Sequence, residues 1–398
     1  MITMIGALIG FELIRRLKML STYIYAIVLF GLGGLLMAAN AGLLSDMSAG
    51  AGSEKVFANG PYSVFANQAT LALFGLFMVA AVFGQAASQD FTTGMWPLIF
   101  TRNVKKLPYL SGRFLGAWIF SSLLFLAIPA GQLLIALGAT LKTGAPIGPH
   151  RLDVYLWPWL TDVVPMLFVS GAVFFSLAAI TRQMAPVYVG MVVLVLGYFA
   201  LSAAMGDVEN RTLGAMADPF GFITFDVVTK YWTPAERNKE LVPLFGLYGL
   251  NKLLWLGVGA AILSFTVNRF RTTIDEQRGK GKTEADPVAS AAIPLPKVTI
   301  APTLASWWST ALNGGWMQFK DVLRSPVYWA FVFSGLLFTT IAMLVSKEIF
   351  GTATLPVTWQ VLELSGGIFR TFTFITVTFY AGELVWKERD AQVADIID

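Results

Sequence analysis

The stretch SQDFTTGMWPLIFTRNVKK, Ser88 to Lys106, interrupts an otherwise oily chain with groups suited to holding a partner. It combines an acid (Asp90), two threonines, a glycine (Gly94), a short apolar run (Met95, Trp96, Leu98, Ile99, Phe100) and three cations in five residues (Arg102, Lys105, Lys106). Gly94 lets the chain turn. The apolar run reads as an amphipathic helix too short to span a bilayer, with Pro97 either shortening it or setting its first turn. Such a helix offers a rigid knob to a soluble partner. Its charges supply steering and register more than affinity.

Bond-breaking chemistry finds little support. His150, the single histidine, sits in the loop GAPIGPHRLD, where a solvated residue is the ordinary reading. With no cysteine, the chain has no thiolate ligand or nucleophile. It carries no HExxH helix and no GxxxxGK[ST] loop. The RGKGK run at 278–282 has no strand before it and no Ser/Thr at the required spacing. No catalytic, metal-ligating or cofactor-binding residue is therefore expected, and the chain is not expected to hydrolyse ATP itself. Among the polar residues in apolar segments, Gln68, Gln85 and Gln132 read as packing residues. Lys252 is expected to snorkel from the end of its span.

These residues must be positioned by membrane helices. Of 398 residues, 56% are hydrophobic and 13% charged, against about 25% charge in soluble domains. Mean hydropathy is +0.66. Apolar segments long enough to cross a hydrocarbon core of roughly 30 Å recur along the chain. The expected class is all-α, a polytopic helical membrane protein, since backbone groups in lipid must be satisfied within each segment. The net charge of +4 gives no ground for a nucleic-acid partner. Six spans are expected at roughly 20–44, 64–88, 112–141, 159–180, 185–204 and 243–268, and two more at 327–346 and 360–384. Arg15, Arg16, Lys18, Arg102, Lys105, Lys106, Arg113 and Arg182 then fall on one side, which favours a cytoplasmic N-terminus.

Before the first span, FELIRRLK places Glu12, Arg15 and Arg16 on one helical face and Leu13, Ile14, Leu17 and Leu20 on the other. It reads as a helix lying in the interface, or simply as the charged start of the first span. The loop at about 205–242 predicts two short helices, 219–231 after Asp218-Pro219 and 234–241 after a Thr233–Glu236 capping box. Residues 271–302 read as a flexible linker. Beyond it the pattern restarts with a Trp-rich interfacial helix and a span, and GELVWKERD repeats, loosely, the acidic exit of the second span. Glu388 and Arg389 occupy the place matching Asp90 and its neighbours. The expected organisation is one six-span unit over 1–270, the linker, and the opening of a second unit, apparently incomplete, over 303–398.

A span leaving as QDFTTG, then WPLIFTRNVKK, then a span beginning GRFLGAW, resembles the membrane subunits of ABC-2 type (type V) ABC transporters. The final YAGELVWKERDAQVADIID is similar to the middle of bacterial permease proteins fused to an M1 aminopeptidase-like domain. The resemblance implies a six-span permease in the bacterial inner membrane, surrounded by membrane lipid and paired with a second permease unit. A separate ATP-binding subunit would carry the ATP and magnesium, and movement of substrate would be export. It places Asp90, Gly94, Trp96, Leu98, Phe100, Arg102, Lys105 and Lys106, with Glu388 and Arg389, at the ATPase-coupling interface, and Glu12, Arg15 and Arg16 on the interfacial helix. The other reading is a non-transporting anchor for a downstream peptidase-like domain.

Overall fold

The computed structural model describes residues 2–44, 56–101, 104–141, 145–204, 211–271 and 304–345, the pairs 348–349 and 352–353, and, further on, 358, 362, 365–367, 369–370, 372–373, 376–377 and 380. Arg102, Glu388, Arg389 and the linker beyond Arg271 lie outside the described residues. The described chain is helical except for loops and one antiparallel pair of two-residue strands, β1 (Glu348–Ile349) and β2 (Thr352–Ala353). By contact density the chain divides into two compact units, Met1–Phe270 with Thr340–Thr354, and Arg271–Thr339 with Leu355–Asp398.

In the first unit, α1 (Ile2–Leu17) precedes α2 (Leu20–Asn40). Next come α3 (Pro61–Phe74) and α4 (Leu76–Thr92), which meet at Gly75 with a bend of 50°. After the short α5 (Trp96–Phe100), α6 (Lys106–Phe125) and α7 (Ala127–Ala139) make a 34-residue rod. A 30-residue rod follows, α8 (Leu152–Pro158) and α9 (Val164–Thr181), joined by a π-turn at Trp159–Val163. The unit closes with α10 (Ala185–Ala204), the small helices α11 (Arg211–Ala217), α12 (Phe222–Thr229) and α13 (Pro234–Lys239), and α14 (Leu247–Arg269). Four of these helices or rods are long and apolar enough to cross a membrane, and the bent pair makes a fifth. The protein is an all-α, membrane-embedded polytopic chain. The second unit holds α15 (Leu304–Arg324) and α16 (Pro326–Val345) as far as Thr339, and in it Tyr380 donates to the Ser325 hydroxyl at 2.9 Å.

Lipid offers helices no hydrophobic gain on meeting, so close approach depends on small residues. Along α2 and α7 a β-carbon on Gly131 would stand 2.1 Å from the Phe30 carbonyl oxygen, and one on Gly33 2.5 Å from that of Ile128. The helices therefore touch backbone to backbone. At the centre α4 packs on α6, α9 and α10, and buries Val79, Ala80, Phe83 and Ala86. The outward faces stay apolar: Ile24 and Ile27 on α2, and Leu250 and Leu253 on α14, are exposed as lipid-facing residues should be.

Two expected boundaries shift for physical reasons. The third span, expected from 112, starts at Lys106, because Arg113 is paired inside the protein and does not mark a membrane edge. The helix expected from Pro219 starts at Phe222, because Gly221 (φ 88°) turns the chain first; Asp218 still accepts the Phe220 and Ile223 amides, at 2.9 and 2.6 Å. The Thr233–Glu236 capping box forms as predicted, with Thr233 N donating to Glu236 Oε2 at 2.7 Å. Helix α11 was not predicted.

Candidate functional site

Helix α4 ends at Thr92, and Gly94 adopts φ 66°, the left-handed turn that its lack of a side chain permits. The chain reverses into α5, with Pro97 in its first turn. No α5 residue is buried; Leu98 is 65% exposed and Met95, just before the helix, is exposed as well. Phe100 faces the other way. Its ring packs on Phe91, Tyr109 and Phe270, with centroids 6.1, 5.4 and 6.1 Å away, so the helix is anchored on the ends of α4, α6 and α14. The Arg182 guanidinium stacks on Phe91, 4.8 Å from its centroid. Lys105 is the exposed N-cap of α6, and Lys106 begins that helix half-buried.

Directly behind this segment lies a buried ion network. Asp90, 8% exposed, accepts the Tyr109 hydroxyl at 2.6 Å and both of its oxygens accept from Arg113. The other Arg113 nitrogen donates to Glu12 Oε2 at 2.9 Å. Glu12 Oε1 in turn accepts Arg15 at 2.7 Å and Arg16 Nε at 2.8 Å, and Arg16 reaches the Val82 carbonyl of α4 at 2.6 Å. Two carboxylates and three guanidiniums thus tie α1, α4 and α6 into one block. Burial alone would push the Glu12 carboxyl up; Arg16, Arg15 and Arg113 more than reverse this and hold it below its usual value.

The network exists because α1 runs alongside the first half of α6. Leu8 meets Gly112, Glu12 meets Gly116, and the Arg16 guanidinium lies 5.4 Å from the Phe120 centroid. A β-carbon on Gly116 would come within 2.9 Å of Glu12 Cβ. The GxxxG spacing makes a shallow seat for the acidic edge of α1. Neither of the two readings of α1 says which way its charged edge turns. Its charged edge turns into the protein, with Glu12 fully buried and Arg16 nearly so, and its apolar edge (Phe11, Ile14, Leu17) turns outward. That arrangement suits lipid rather than water, since each of these charges is paired within the protein.

Gly94 makes the turn, whereas Asp90 lies before it in the last turn of α4, where it shares one cluster with Glu12, Arg15 and Arg16. Arg113 and Tyr109, its centre, were missed. The available signal was an arginine one residue after a glycine in GRFLGAW, on a helix that also offers Gly116. Lys252 was misread. Instead of snorkelling it is 6% exposed and donates to Asp162 Oδ1 at 2.6 Å, between α14 and the π-turn. Among the described residues no group of three or more His, Cys, Asp or Glu could hold a metal ion. Comparison with protein-family models, with curated proteins and with solved structures gave no match.

Proposed function

We propose that this chain is the membrane-spanning permease subunit of an ABC-type transporter, moving its substrate outward across a bacterial inner membrane. A separate ATP-binding subunit supplies ATP, magnesium and hydrolysis. The observation that carries the reading is α5: a short helix with an exposed apolar tip, set on a base that is ionic and aromatic and belongs to three other helices. A lipid-facing helix needs no such base. A docking helix does, because force delivered at Leu98 is useful only if it moves the spans rather than the loop.

In this scheme Met95, Trp96 and Leu98 fill a cleft on the ATPase, Arg102, Lys105 and Lys106 set register, and Phe100 faces inward to transmit. Asp90 and Arg113 stiffen the hinge, and α1 moves with α6. A second permease unit completes the pathway. The test replaces Leu98 with Glu, singly and with Arg102→Glu and Lys105→Glu, and purifies the chain with the candidate ATP-binding subunit. Leu98 is largely exposed, so folding should survive. The expected result is loss of the complex and of stimulated ATP hydrolysis. A complex and a hydrolysis rate both equal to wild type would refute the reading.

A further inference from the structure

Helix α14 leans on α9. A β-carbon on Gly259 would stand 3.0 Å from the Phe168 ring, and Thr266 donates to the Ser176 hydroxyl at 2.6 Å. With α6 it meets end to end beneath α5, where the Tyr109 and Phe270 rings lie with centroids 6.2 Å apart. Farther along, the two helices part and leave a groove of about 290 Å³. Leu110 and Phe114 of α6 form one wall, Leu263 and Val267 of α14 the other, and Phe175 of α9 lies between them. Phe114 and Phe175 are buried and meet edge to face, centroids 5.5 Å apart. The groove opens sideways, since Ser264 on its rim and the neighbouring Phe265 are exposed. Ligand pockets run from roughly 300 to 1,000 Å³, so this one has room for a single slender chain.

Charge of one sign surrounds the end of this groove nearest α5. Lys106 stands one turn before Leu110 and two before Phe114, on the same helical face, and Lys105 caps the helix beside it. Arg269 ends α14 one turn beyond Thr266, which also lines the groove. None of α6, α9 and α14 contains an Asp or Glu. Asp90 of α4 is already taken up by Tyr109 and Arg113. Ser111 and Asn268 add a hydroxyl and an amide at the rim. An apolar slot with cations and hydrogen-bonding groups at one end fits a molecule built the same way, hydrocarbon behind and phosphate in front. A soluble anion leaves the walls uncovered, and a bare acyl chain leaves the cations unanswered.

We propose that the groove between α6 and α14 holds an acyl chain of one anionic phospholipid from the leaflet on the α5 side, with its phosphate set on Lys106 and Arg269. The apolar walls hold the chain, and the cations choose the headgroup. The site stands whatever docks at α5; that use of Lys106 leaves Arg102 and Lys105 for a docked partner. The lipid lies behind the Tyr109 and Phe270 rings on which Phe100, and with it α5, rests.

Native mass spectrometry of the full chain in detergent tests this, titrating with dioleoyl-phosphatidylglycerol and, separately, dioleoyl-phosphatidylcholine. One phosphatidylglycerol should be held per chain, more tightly than phosphatidylcholine. Lys106→Gln and Arg269→Gln should each weaken phosphatidylglycerol by about fivefold, the size expected for one cation facing anionic lipid, and leave phosphatidylcholine unchanged. Ser264→Trp fills the groove from an exposed position and should abolish the tight binding. Equal affinity for the two lipids would overturn the proposal, as would tight binding that survives both glutamine changes and Ser264→Trp. Displacement of the lipid by excess inorganic phosphate would assign the site to the anion alone and overturn it too, and a dimer that takes up no lipid would put a second copy in the groove. The comparison of the two lipids on the unsubstituted chain decides the matter even if Ser264→Trp fails to fold.

Discussion

Removing Arg113 tests the ion network most directly. Arg113→Met keeps the length and packing of the side chain and deletes its charge. Asp90 is then left with the Tyr109 hydroxyl alone, at 8% exposure, while Glu12 keeps Arg15 and Arg16. Taking one partner from a buried pair costs about 3–5 kcal/mol, mostly for the charge left behind. Arg15→Met is the control: its side chain is 18% exposed and Glu12 retains two other arginines, so the cost should be about 0–1 kcal/mol. Adding Asp90→Asn to Arg113→Met removes the stranded charge and should recover much of the loss, because replacing both members of a buried pair is often near neutral. The assay is denaturant unfolding in detergent micelles followed by tryptophan fluorescence, run as a double-mutant cycle. Equal losses for Arg113→Met and Arg15→Met, or no recovery in the double variant, would show that the network is not the joint described above.

Other outcomes follow from the same geometry. Gly116→Val forces a side chain into Glu12, already 2.9 Å from the β-carbon position, so α1 should lift from α6 and the Arg15-Arg16 bond become open to trypsin. Tyr109→Phe removes one hydrogen bond to a charged acceptor and should cost about 1.5–3 kcal/mol, less than Arg113→Met. Thr233→Ala removes the capping box of α13 and should cost about 1 kcal/mol, with faster amide exchange confined to the first turn of that helix. The Glu12 carboxyl is held below its usual value, so its contribution is present above its unfolded pKa of about 4.3 and is lost as pH falls through the folded value. Protection of α1 from proteolysis should therefore hold at neutral pH and fade only in acid, and in Glu12→Gln it should be weak at every pH.

What the sequence reveals and what it hides divide along physical lines. Apolar length marks the spans, because lipid imposes that length directly. The turn at Gly94 and the cap at Thr233 are legible because each depends on neighbours within a few residues. Pairings across the chain are not. Arg113 looks like an ordinary span-flanking cation until α1 is laid against it, and Lys252 looks free to snorkel until the π-turn brings up Asp162, 90 residues earlier. Helical periodicity groups Glu12, Arg15 and Arg16 on one face, but it cannot say whether that face meets water or protein. Gly112 and Gly116 decide it, through a close approach that only tertiary packing reveals.

The distance along the chain between Glu12 and Arg113 has a consequence for how the protein is made. Glu12 leaves the ribosome 101 residues before the arginine that will hold it. At roughly 5–20 residues per second that is an interval of about 5–20 s. During this time Arg15, Arg16 and Lys18 stand beside a newly inserted first span with Glu12 of their own helix but nothing from α6, and flanking cations of this kind bias which side of the membrane a helix end stays on. The arginines therefore act first as an address, read while they are still solvated. They become part of the interior only when α6 arrives. A variant that alters their charge can fail at either stage, and the two failures differ: one inverts the first span, while the other leaves it correctly placed and loose.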